Sequence, residues 1–63
     1  MRLTVQLESY LSRMLEQFLA KKLTIHETYQ FILDCYHSKY IDKLPPEVKK
    51  QMVDRYKELE KLH

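Results

Sequence analysis

Apolar residues recur along this chain at helical rather than strand spacing, in three blocks. In the first, Leu7, Leu11, Met14 and Phe18 repeat at steps of four, three and four, the spacing that keeps side chains on one face of an α-helix. Leu15 and Leu19 widen the stripe on one side, Leu3 and Tyr10 on the other. Ser9, Ser12, Arg13 and Glu16 fall opposite. The pattern predicts a helix from about Val5 to Lys22, with Thr4 as its N-cap. Lys21 and Lys22 are expected in its last turn, where cations suit the negative end of the helix dipole.

The second block opens on Thr24-Ile25-His26-Glu27. This is a capping box, in which the threonine hydroxyl accepts from the Glu27 amide and the Glu27 carboxylate reaches back to the Thr24 amide. From there the pattern predicts a helix over 25–42. Ile25, Tyr29, Ile32, Tyr36 and Tyr40 form one stripe, flanked by Leu33, and Phe31 with Cys35 forms a second. Together they span an arc of about 200°, twice the ~100° that a one-sided surface helix needs. This helix is expected to be covered on two sides. Tyr supplies large contact area at low entropic cost, with a hydroxyl that tolerates water. A chain this short has little material to cover such an arc, so Tyr29, Phe31, Ile32, Tyr36 and Tyr40 are read as an association surface.

The break at Leu44-Pro45-Pro46 precedes the third block. Pro46 suits the first helical turn, where its missing donor costs nothing, and Glu47 suits the positive N-terminus. A helix over 46–62 follows, with Val48, Met52, Leu59 and Leu62 on one face and Tyr56 at its edge. Filling in the heptad puts Arg55 inside that stripe. A polar residue in such a seam costs stability but can set partner choice, so Arg55 is read as a specificity contact, with Glu58 as its i,i+3 partner.

Composition narrows this further. The 63 residues include no Gly and two Pro, too little turn chemistry for a sheet protein. The fold class is all-α: three short helices, a helical hairpin plus a third helix, forming one small helical domain over 1–63. Short joins put successive helices antiparallel or at a steep angle. A core this small barely offsets the entropy of ordering the chain. With a single cysteine, Cys35, no internal disulfide is available, so a homodimeric helical bundle is the expected stabiliser.

The chemistry is sparse. Cys35, His26, His37 and His63 are four in number but show no paired-ligand spacing for zinc. Asp34 and His37 are i,i+3, a spacing that can bind an ion, yet they lie on the polar face with His26 and Gln30. Cys35 and His37 are i,i+2, so their side chains diverge on a helix. No phosphate loop, activated serine or paired carboxylates stand out. Neither catalysis nor a metal or other cofactor is expected.

Eleven Lys and Arg against nine Asp and Glu give a formal charge of +2, without the concentrated basic face of a nucleic-acid binder. The N-terminal residues lack the apolar run of a signal peptide, and no apolar stretch is long enough to span a membrane. The reading is a small cytoplasmic protein-protein interaction module, an adaptor or regulator that binds a larger protein partner. The alternative is a helix-turn-helix-like DNA-binding regulator using the Lys-rich third helix. Against it, Glu47, Asp54, Glu58 and Glu60 are interleaved with the cations.

Overall fold

The computed structural model describes residues 3–62. Met1, Arg2 and His63, the last of which was weighed as a zinc ligand, lie outside the described residues. The chain forms α1 (Val5–Leu19), α2 (Ile25–His37), one 3-10 turn (Tyr40–Lys43) and α3 (Pro46–Lys61), and no strand occurs among the described residues. The all-α, three-helix expectation holds. No helix among the described residues is long and apolar enough to cross a membrane.

The starts of the helices follow their caps. Thr4 Oγ1 accepts from the Leu7 amide at 3.1 Å. The capping box of α2 is complete: the Glu27 amide donates to Thr24 Oγ1 at 3.1 Å, and the Thr24 amide donates to Glu27 Oε1 at 3.0 Å. α3 begins on Pro46, as its fixed φ favours.

The ends differ from expectation. α1 stops at Leu19, not Lys22, because Lys21 turns into the left-handed region at φ 59°. The Lys22 amide then donates to Gln17 O at 2.9 Å and the Lys21 amide to Phe18 O at 3.1 Å, the two bonds of a Schellman motif. Lys21 and Lys22 are therefore past the last turn, and the join to α2 runs over residues 20–24. α2 stops at His37, not Asp42. Ser38 Oγ donates to Asp34 O at 2.7 Å and accepts from the Tyr40 amide at 3.4 Å, and Lys39 follows at φ 62°. This turn carries Tyr40 and Ile41 off the helical stripe and into the core, at 7% and 5% exposure.

A chain without glycine thus places lysine twice where glycine is usual. The left-handed conformation costs a non-glycine residue ~1–2 kcal/mol, partly offset by the extra unfolded-state freedom that glycine brings. Lys21→Gly is expected to stabilise the protein by about 0.5–1 kcal/mol, read as a higher urea midpoint at unchanged slope. An unchanged or lower midpoint would show that the turn stores no such strain.

α2 is the central helix. α1 covers one flank, where the Phe18 and Phe31 rings lie 5.6 Å apart. α3 covers the other, where Tyr56 stacks on Tyr29 at 5.3 Å and 12°. Both covers come from the chain itself, contrary to the expectation that it holds too little material for them. The Lys43–Glu8 ion pair at 3.4 Å ties the turn after α2 back to the start of α1, so α1 and α2 run antiparallel. Leu11, Phe31, Ile32, Cys35, Met52 and Leu59 are fully buried, each favourable by about 1.5–3 kcal/mol for the larger side chains. Leu62, expected on the apolar face of α3, stands 67% exposed beyond its last turn.

Candidate interaction surface

The association residues read from sequence divide into two groups. Phe31, Ile32 and Tyr40 lie in the core, at 2%, 0% and 7% exposure, where they hold α2 against its neighbours. Tyr29 and Tyr36 lie on the edge of α2 that meets α3. There Tyr56 sits between them, stacked on Tyr29 and edge-on to Tyr36 at 6.4 Å and 65°. Tyr36 is 42% exposed, and Ile25 on the same edge is 50% exposed.

The three tyrosines and Ile25 make a seam of aromatic and aliphatic surface along the outer junction of α2 and α3. It exists because α3 covers only part of the wide apolar arc of α2, leaving its outer rim in water. Hydrogen bonding with Tyr29 and Glu60 raises the Tyr56 phenol above its usual range. An amphipathic aromatic patch of this kind is well suited to protein recognition.

Arg55 does not belong to the seam. One residue from Tyr56 is about 100° of helix, and Arg55 faces the opposite edge of α3, where its Nη1 donates to Glu58 Oε2 at 3.0 Å. It lines a groove of about 410 Å³ between α3 and the turn joining α1 to α2, with Phe18, Leu19 and Leu23 across from it. The expected i,i+3 pair with Glu58 is present. As an exposed pair it contributes little to stability, on the order of 0–1 kcal/mol.

The other residues weighed in the sequence lie apart from the seam. Cys35 is buried, and desolvation, with a smaller contribution from the Asp34 charge, pushes its thiol up to about 12. That is the reverse of what a nucleophile needs. On the polar face Gln30 Nε2 donates to Asp34 Oδ1 at 3.0 Å. No group of three or more His, Cys, Asp or Glu is disposed to hold a metal among the described residues. On α3, Lys49 Nζ lies 3.9 Å from Asp42 Oδ1 and Arg55 is paired with Glu58, so two of its cations already face carboxylates.

Sequence reasoning placed Tyr56 only at the edge of a stripe and did not join it to Tyr29 and Tyr36. The available signal was a second helical repeat on α3, through residues 49, 53, 56 and 60. No known protein family matches the chain, and no curated protein or solved structure shows detectable similarity to it.

Proposed function

We propose that this chain is a small non-enzymatic interaction module, an adaptor or regulator that acts by applying the α2–α3 seam to another polypeptide. The observation that carries the reading is the seam itself. Its rings stack on one another, yet Tyr36 and Ile25 remain in solvent at 42% and 50%. Side chains that only filled a core would be covered. Those at a binding surface are pre-ordered and left open, which lowers the entropic cost of association. A homodimeric bundle and a larger protein are both assemblies that such a surface accepts, and the Arg55 groove lies free on the far edge of α3 for a second contact. The single buried thiol suits a reducing compartment such as the cytoplasm.

A photo-reactive phenylalanine analogue placed at Tyr36 is expected to capture a polypeptide when the protein is irradiated in its cell. The same residue at Arg13, on the outer face of α1, is not. Equal or absent capture at the two positions would overturn the assignment of the seam.

A further inference from the structure

Lys49, Val53, Tyr56 and Glu60 recur on α3 at steps of four, three and four and so share one face of that helix. Lys49, Val53 and Tyr56 are partly buried, Tyr56 against Tyr29 and Tyr36 of α2, and Glu60 is exposed. Read along the helix, the order is cation, apolar, apolar, anion. Turned end for end, that order is its own complement. An antiparallel second α3 sets each Lys49 opposite the other copy's Glu60 and each Val53 opposite the other copy's Tyr56. A parallel one would set lysine on lysine and glutamate on glutamate. The stripe spans about 16 Å at ~1.5 Å per residue, which puts the two-fold axis between Val53 and Tyr56.

Both charges of the stripe run against the dipole of α3. Glu60 lies in the last turn of α3, where a carboxylate meets the negative end of the helix dipole, and Lys49 lies close to the start, where a cation meets the positive end. Within the chain, Lys49 reaches Asp42 only at 3.9 Å, with both side chains exposed, and Glu60 takes a hydrogen bond from the Tyr56 phenol. Pairing across a two-fold axis turns both unfavourable placements into opposed charges. The stripe is also continuous with exposed Tyr36 and Ile25 on α2, so the contact extends over two helices of each copy, as an isologous interface does.

We propose that the occupant of the seam is a second copy of this chain, docked by antiparallel pairing of α3 with two reciprocal Lys49–Glu60 ion pairs around a Val53–Tyr56 centre. This rests on the reading of the seam as an interaction surface and names its partner.

Charge exchange tests it by sedimentation equilibrium. Lys49→Glu and Glu60→Lys each agree with the helix dipole, so each variant is expected to keep its helicity, checked by circular dichroism. Alone, each variant sets like charges opposite one another twice per dimer, and its Kd is expected to rise about tenfold. Mixed in equal amounts, one chain offers two anions and the other two cations, and the heterodimer is expected to recover the original Kd within about twofold. Three results would overturn the proposal: a wild-type chain of single-copy mass at millimolar concentration, single variants that pair as tightly as the original, or a mixture that does not recover. A monomeric wild type whose residue 36 still cross-links a different protein would discard the second copy and keep the interaction surface. A monomeric wild type with no capture at residue 36 would discard both.

Discussion

Phe31→Ala is expected to remove a large share of the protein's stability. The Phe31 ring is 2% exposed, meets Phe18 of α1 at 5.6 Å and belongs to the main hydrophobic cluster. Truncating a buried phenylalanine removes its transfer free energy and leaves a cavity, together about 3–5 kcal/mol. A domain of 63 residues has a total stability of only about 3–9 kcal/mol, at ~0.05–0.15 kcal/mol per residue. The substitution therefore takes away from about a third to all of it. Far-UV circular dichroism in a urea series should show the midpoint falling by about a third or more, or no folded baseline at all. Tyr36→Ala, one and a half turns further along the same helix, should shift the midpoint little, because its ring stands at the surface. Similar effects from the two would contradict the division of the aromatic arc into core and seam.

The second large effect is alkaline. The Cys35 thiol is raised from 9.0 to about 12 in the folded chain by burial, with help from the Asp34 charge. A raised acid pKa means that the folded state holds the proton more tightly than the unfolded one. Its contribution is constant below the unfolded value of about 9 and is lost as the pH rises from 9 towards 12. At ~1.36 kcal/mol per pKa unit, the loss by pH 11 is on the order of 3 kcal/mol. Titration of the raised Tyr56 phenol acts in the same direction above its ordinary range. The two are separated by Cys35→Ala, which is expected to flatten the fall in stability between pH 9 and 11 even though it lowers stability at neutral pH. A wild-type midpoint that holds steady to pH 11 would show that the thiol is not sealed from water.

Much of the fold was legible because its signals are local. The Thr24–Glu27 box and Pro46 each fix a helix start through one or two residues, and both are where the sequence puts them. The helix ends were not legible. They depend on Lys21 and Lys39 taking left-handed conformations that lysine rarely adopts, and on Ser38 withdrawing its hydroxyl to Asp34. With no glycine to mark the breaks, periodicity ran on through both, and Tyr40 was drawn into a stripe that the chain leaves two residues earlier.

The site was legible in part for a related reason. A wide aromatic arc on α2 is visible in the sequence, but core and seam look alike until it is known which flank α1 and α3 cover. Tyr29 and Tyr36 fall on the rim of α3's cover, Phe31 and Ile32 beneath it. On α3 the eye follows the apolar stripe through Val48, Met52 and Leu59, which is the core face. The stripe that carries Tyr56 begins and ends on charges, so hydrophobic patterning alone passes over it. Arg55, read as part of the apolar heptad, lies on the groove edge with Glu58 because the side chain extends its charge into water.

The central claim is that the α2–α3 seam is where this protein meets another polypeptide. It is tested most directly by the position dependence of photo-cross-linking in the cell, with the reactive residue placed in turn at Tyr36 and Val53 on the seam, at Arg13 on the outer face of α1, and at Gln51 beside the Arg55 groove. The account predicts discrete adducts from positions 36 and 53 that vanish when Ile25→Ser is added, and none from position 13. Adducts that arise from position 13, or from position 51 without positions 36 and 53, would contradict it.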